Sequence, residues 1–287
     1  MYSSLGILIC VFLVWRGDSA IAGTRPVKKC TRGSPFEISM NIILESLFKA
    51  NLIPPGDVLD VGCNYGNTAC MFSCWDPDRT VHCVEPTVTL FNKMTCRSKK
   101  VLKYNMGVSD APGFIDIAST DNVHGFKGLY KIASSGVEVT TIDNFFRNKS
   151  QSIPGFLHID VEGFELLALR GASAVIDQYK PFFTFELHVN TNKSFTRELT
   201  AYAESKGYTL FLVNEGCGKL IDCRNVLAIP HNIVRKVCHS PTFELALRTS
   251  TCLHITADTV LSVYNNSLSK THFWGKKTRF PRIKEEW

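Results

Sequence analysis

Pro154-Gly155-Phe156-Leu157-His158-Ile159-Asp160-Val161-Glu162-Gly163-Phe164-Glu165-Leu166-Leu167-Ala168-Leu169-Arg170-Gly171-Ala172 passes from an apolar strand pattern into a helical one, with two carboxylates at the change of period. In an open α/β sheet, ligands sit beyond the carboxyl ends of the strands, so Asp160 and Glu162 stand where chemistry is done. The same alternation extends on both sides. Short apolar runs at 57–61, 80–85, 101–106, 155–160, 181–187, 208–213 and 225–229 are separated by helical periods at 66–75, 87–97, 163–179 and 194–206. This order predicts an α/β fold: a Rossmann-like, doubly wound, mostly parallel seven-stranded sheet with helices on both faces. Gly113 to Ile117 and Val137 to Ile142 read as extra strands or a loop excursion. Upstream, Ser34-Pro35-Phe36-Glu37 combines an N-cap, a first-turn proline and a capping-box Glu. It predicts a helix to about Ala50 with a stripe through Ile38, Ile42, Leu44, Glu45 and Phe48 and a polar back.

The first strand leads into a second informative turn, Val58-Leu59-Asp60-Val61-Gly62-Cys63-Asn64-Tyr65-Gly66-Asn67. Orphan N–H groups at such a strand-to-helix turn meet polar ligands. A dinucleotide fingerprint requires glycine at 62, 64 and 67, but 64 and 67 are Asn, which disfavours a nicotinamide-dependent oxidoreductase. Asn64 tolerates the left-handed backbone where glycine is usual. Asp60 offers acceptors to the turn's own N–H groups or to a ligand ammonium. Glu85 ends the next strand nineteen residues after Gly66, the spacing at which nucleoside-binding α/β proteins set an acid against ribose hydroxyls.

With these residues in place, the chain resembles the FkbM-type methyltransferase family over about residues 57–230. The resemblance is carried by Asp60-Val-Gly62-Cys63-Asn64-Tyr-Gly66, by Glu85-Pro86, by Gly107-Val-Ser-Asp110 and by Thr141-Ile142-Asp143. It is carried most specifically by Ile159 through Glu165, with Leu169-Arg-Gly171-Ala172 and Glu186-Leu-His188 following. It implies the class I methyltransferase fold and S-adenosylmethionine as cofactor. By the same likeness Asp60, Gly62, Cys63, Asn64 and Gly66 cradle the methionine part. Glu85 with Pro86 takes the ribose, Val108, Ser109 and Asp110 border adenine, and Asp160 lies near the sulfonium. Two positions depart from the family pattern: His158 stands where Lys is usual, and Cys63 replaces Ala. A disulfide at Cys63 is expected to crowd the turn, so the sequence suggests a free, packed thiol there.

Methyl transfer to a hydroxyl depends on alignment of the two reactants and on a group that receives the proton. Candidates for that group are Asp160, Glu162, His158, Glu186 and His188. If the strand continues through Glu162, that side chain shares a face with Asp160; alternatively Glu162 caps the helix opening at Gly163. His158 either titrates near the site or is a satisfied core histidine. Glu165 reads as a dipole partner in the first helical turn. A metal-assisted reaction on a convergence of Asp160, Glu162 and Glu186 is an alternative, but carboxylates without a ligand spacing are weak evidence and no metal is assigned.

Residues 5–15 are an apolar run too short to span a bilayer, and Ala20-Ile21-Ala22 follows, a pattern that predicts a signal peptide over 1–22, with an uncleaved anchor as the alternative. A linker at 23–33 then precedes a methyltransferase domain at 34–230 and an extension at 231–287. Beyond Cys10 ten cysteines remain, which suits disulfides in an oxidising compartment, and Cys217 with Cys223 is the favoured pair. Cys70 and Cys74 share a helix face, and Asn-x-Ser sequons occur at Asn148, Asn192 and Asn265. The net charge of +6 is concentrated at residues 270–287, where six Lys or Arg face two Glu. That tail lacks any nucleic-acid-binding module, so no nucleic-acid partner is expected, nor a stable membrane span once the signal is cut. The expected function is S-adenosylmethionine-dependent O-methylation of a glycan or small molecule in the secretory pathway, either in the lumen of the endoplasmic reticulum or Golgi or after secretion. The alternative is a secreted binding protein that keeps this fold without turnover.

Overall fold

The computed structural model describes residues 37–117, 130–133, 136–149, 152–189, 192–215 and 223–268. The expected signal peptide, the linker, Cys217 and the basic tail lie outside the described residues. After α1 (Ile38–Lys49), the chain alternates β1 (Asp57–Val61), α2 (Asn67–Trp75), β2 (Val81–Val84), α3 (Val88–Asn92) and β3 (Val101–Tyr104). A small excursion follows, with β4 (Gly107–Val108), β5 (Gly113–Ile117), β6 (Tyr130–Ala133) and β7 (Val137–Thr140). The alternation resumes through α4 (Ile142–Arg147), β8 (Pro154–Ile159), α5 (Glu165–Arg170), α6 (Ser173–Tyr179), β9 (Phe182–His188), α7 (Lys193–Ser205), β10 (Tyr208–Val213) and β11 (Cys223–Pro230). It ends with α8 (His231–Cys238), α9 (Pro241–Arg248), β12 (Cys252–Ile255) and α10 (Val260–Leu268).

The main sheet has the order β12-β10-β11-β9-β8-β1-β2-β3. Strands β3, β2, β1, β8 and β9 are parallel, while β11, β10 and β12 pair antiparallel at the other edge. All seven expected strands are present, and β12 joins them as an eighth. The centre of the sheet is apolar on both faces because helices cover both: every residue of β8, Pro-Gly-Phe-Leu-His-Ile, is buried. On one face Leu59, Leu157, Ile159 and Phe183 pack against Phe145, Phe146, Leu169 and Leu199. On the other, Val58, Phe156 and Phe182 pack against Leu44, Phe48, Phe72 and Phe243.

The structure corrects several local expectations. The active face of α1 is Met40, Ile43, Leu44, Leu47 and Phe48, and Ile38 and Ile42 face solvent. Ser34 lies outside the described residues; Glu37 is the N-cap residue of α1, and its carboxylate accepts from the Asn225 side chain at 2.7 Å. The expected 87–97 helix stops at Asn92, since Cys96 is drawn to Cys70 by a disulfide. The 163–179 helix divides at Gly171, where a Cβ would lie 2.1 Å from the Ser109 carbonyl oxygen, so the backbone of the excursion seats itself on the break. The extension expected from 231 is no appendage: Val237, Phe243, Cys252, Ile255, Val260 and Tyr264 belong to the same two cores. Its elements are four to nine residues long, too short for periodicity to announce them.

Candidate functional site

The carboxyl ends of β1, β2 and β8 open on one cleft, the position at which open α/β sheets bind ligands. Gly62, Asn64, Glu85, Pro86, Val108, Ser109, Asp160 and Glu162 line it together. The cleft also takes in Leu90, Met106, Ile115 and Phe164, an apolar set that sequence reasoning missed. These four come from a helix, a strand and two loops, and no local motif links them.

The β1 turn is shaped by backbone. Gly62, Asn64 and Gly66 all have positive φ, at 82°, 51° and 77°, a region that L side chains rarely adopt. A Cβ on Gly62 would fall 1.8 Å from the Asp160 carbonyl oxygen, so β8 approaches the turn too closely for any side chain. Glu85 then fixes the far wall. Its two oxygens accept from the Asn64 amide at 2.9 Å and the Thr87 amide at 2.8 Å. A carboxylate has about four lone-pair sites, so acceptor capacity is left for ligand hydroxyls.

Beneath the turn, Asp60 is completely buried, and neither carboxylate oxygen makes a full hydrogen bond. The Ala69 amide in the first turn of α2 approaches it closely enough to favour the charged form slightly. Burial, helped by the nearby Glu85 charge, raises its pKa to about 8. An orphaned buried carboxylate of this kind fits a ligand that brings a positive group.

Cys63 corrects the expectation of a free thiol: it is bonded to Cys83, with Cα atoms 5.6 Å apart. The bridge does not crowd the cleft because it lies behind the turn, between adjacent parallel strands whose register sets Asp60 beside Cys83. Cys63 therefore supports the turn from the core and does not line the cleft. With both sulfurs joined, Asp60, Cys63 and Cys83 offer no thiolate set for a metal. Cys70 is bonded to Cys96, and Cys74 is disulfide-bonded as well.

The β8 and β9 ends are shaped by charge. Strand β8 stops at Ile159, and Glu162 has φ 53°, so the alternation that would align it with Asp160 is broken. Nor does Glu162 cap the helix, which begins at Glu165 after Phe164. Glu165 instead closes the turn, accepting from the amides of Val161 at 3.3 Å and Gly163 at 3.1 Å, and its burial raises its own pKa. The half-buried Asp160 has a pKa held well above the carboxylate range, first by desolvation and then by the charges of Glu186 and Glu162. Glu186 and His188 alternate on β9 and are hydrogen-bonded at 2.7 Å between Oε2 and Nε2. Both are buried beside the cleft and outside its lining.

His158 is placed away from this group. Its Nδ1 is 2.7 Å from the Thr184 hydroxyl, its ring meets Phe72 edge-on at 5.8 Å, and burial lowers its pKa to about 4. It is a neutral core histidine and not a base facing the cleft. Asp110 is exposed, bonded to the Ser109 hydroxyl at 3.2 Å, and outside the lining. Gly66 is the N-cap of α2.

A glycine-and-Asn turn, a strand-end acid on the neighbouring strand and carboxylates across from them thus share one cleft. Residues 60–210, more than half of the chain, match the model of the Methyltransferase FkbM domain, and the chain belongs to that family. No curated protein matches it in a sequence search. Among solved structures it is similar to the methyltransferase FkbM of Methylobacillus flagellatus KT, at 17% identity and a TM-score of 0.46, covering 64% of this chain and 47% of that one. The chain thus spans about half the length of that relative. It is also similar to the precorrin-6y C5,15-methyltransferase of Geobacter metallireducens GS-15, with 10% identity, a TM-score of 0.38 and coverage of 66% and 87%. Aeropyrum pernix fibrillarin, solved with S-adenosyl-L-methionine, gives 10% identity, a TM-score of 0.38 and coverage of 66% and 76%.

Proposed function

We propose that this protein is an S-adenosylmethionine-dependent O-methyltransferase that acts on a hydroxyl of a glycan or small molecule in the secretory pathway. The observation that carries the reading is the one cleft shared by the Gly62–Gly66 turn, Glu85 and Asp160 in a member of the FkbM family. S-adenosylmethionine supplies an electrophilic methyl group on a sulfonium. The turn and the orphaned Asp60 would hold its methionine part, Glu85 its ribose hydroxyls, and Val108 and Ser109 with the apolar Leu90 and Met106 its base. Asp160 accepts the acceptor's hydroxyl proton; desolvated and surrounded by carboxylates, it is a stronger base than a solvated aspartate. Phe164 and Ile115 exclude water from the same space.

The secretory assignment is supported by the disulfides Cys63–Cys83 and Cys70–Cys96 and by the exposure of Asn148, Asn192 and Asn265. Among the described residues no helix is long and apolar enough to cross a membrane.

Calorimetric titration of the folded protein with S-adenosylmethionine is expected to give one site, and Asp160→Asn to keep that binding while losing at least tenfold in kcat against a reactive acceptor. Labelled-methyl assays on a panel of sugars and glycans identify the acceptor. Folded protein that gives neither heat nor a thermal shift with S-adenosylmethionine sinks the proposal. Binding without transfer across the panel favours the non-catalytic alternative. Protein from a eukaryotic host is expected to gain mobility on a gel after glycosidase treatment.

A further inference from the structure

Across the cleft from the turn, three side chains of metal-ligating type converge. Glu162 comes from the left-handed turn after β8; Glu186 and His188 come from alternate positions of β9, which puts both on one face of that strand. Their ligand atoms all lie within 4.8 Å of one another. Three donors about 2.1 Å from a common ion stand about 3–4 Å apart, so small rotations of these side chains bring all three onto one ion. Glu186 and His188 are buried and Glu162 is half-buried, so the set is screened from bulk water.

Asp160, at the end of β8, lines the same cleft as Glu162.

We propose that Glu162, Glu186 and His188 form a binding site for one divalent transition-metal cation, of the Mn²⁺ or Zn²⁺ class, on the acceptor side of the cleft. Two carboxylates balance the charge of a divalent ion, and the imidazole favours Mn²⁺, Fe²⁺ or Zn²⁺ over Mg²⁺ and Ca²⁺. Three protein ligands leave open positions, as catalytic metal sites do. The inference deepens the proposed O-methyl transfer and rests on it for its role: an ion held there would make an acceptor hydroxyl in an open position more acidic. The ion site itself stands on the three side chains alone.

The test uses the full chain, stripped with chelator and dialysed. Titration with Mn²⁺, followed by loss of the free-ion electron paramagnetic resonance signal, and titration with Zn²⁺ by calorimetry are expected to give one ion per chain. Glu162→Gln, Glu186→Gln and His188→Gln are each expected to weaken binding at least tenfold, whereas His239→Gln, on the exposed end of α8, leaves it unchanged. Thermal unfolding of each variant separates loss of ligand from loss of fold, and the half-exposed Glu162→Gln is the variant that serves if the two buried ones unfold. Absence of any bound ion, or binding that survives Glu162→Gln in folded protein, overturns the proposal. S-adenosylmethionine calorimetry in chelator runs in parallel: cofactor binding without an ion removes only the ion site, and ion binding without cofactor removes only the methyltransferase reading.

Discussion

The ends of β1 and β2 and the ends of β8 and β9 face each other across one cleft and are built on opposite principles. The first is made of backbone: three left-handed residues, two amides clasped by Glu85, and a disulfide behind the turn. The second is made of side-chain charge: Asp160, Glu162, Glu186 and His188 within reach of one another, with a helix-start glutamate tying their loop. The contrast teaches that one wall has a shape set before any ligand arrives, while the geometry of the other is set by which charges it holds. Rigid backbone suits a ligand that is always the same, and a charged wall suits a proton that must leave.

The comparison breaks most completely at Gly62. Gly62→Ala forces a Cβ to 1.8 Å from the Asp160 carbonyl and keeps φ at 82°, so a loss of roughly 4 kcal/mol or more is expected. Denaturant unfolding measures it, and near-wild-type stability would mean that the two walls are not in the contact described. The double variant Cys63→Ala with Cys83→Ala removes a bridge of sequence separation 20, at an expected cost of about 3 kcal/mol. Its cofactor affinity should fall as the backbone wall loosens, with no change in the pH dependence of turnover, which belongs to the charged wall.

Next in size is the pH response of His158. Its pKa in the fold is about 4 against 6.5 in the unfolded chain, so the unfolded state binds the extra proton between those values. Its contribution is therefore present above pH 6.5 and is lost as pH falls toward 4, by about 2 kcal/mol between pH 7 and 4.5. Urea unfolding of wild type and His158→Gln at the two pH values isolates that slope; a slope unchanged in the variant refutes the buried, neutral histidine.

At Asp60 the sign is opposite, and the smallest effect is the one on cofactor affinity. With a folded pKa near 8 against 3.8 unfolded, the native state retains a proton that the unfolded chain has released. Its stabilising contribution is complete below about pH 4 and declines as pH rises to 8. Asp60→Asn should therefore raise the melting temperature at pH 8 while weakening S-adenosylmethionine about tenfold, or ~1.4 kcal/mol. Calorimetry at pH 7 in buffers of different ionisation enthalpy adds a direct reading: wild type releases a proton on cofactor binding, and the variant does not.

The alternation of strands and helices, the two strand-end turns and the acids Glu85 and Asp160 at the cleft were all legible from residue order. Periodicity records which way each residue of a local element faces, and left-handed turns advertise themselves through Gly and Asn. What needed the folded chain were matters between segments. Cys63 meets Cys83 because β1 and β2 pair in a particular register. His158 is neutral because packing on both faces of the sheet buries it, beside Thr184 of the neighbouring strand. Strand β12 completes the sheet edge although its four residues carry no pattern of their own. Glu162 comes close to Glu186 and His188 only because its turn leaves the strand in a left-handed conformation. Sequence alone settles local backbone preference; which positions of a helix such as α1 are buried, the lateral contacts between distant segments and the charges they force together are decided by packing in three dimensions.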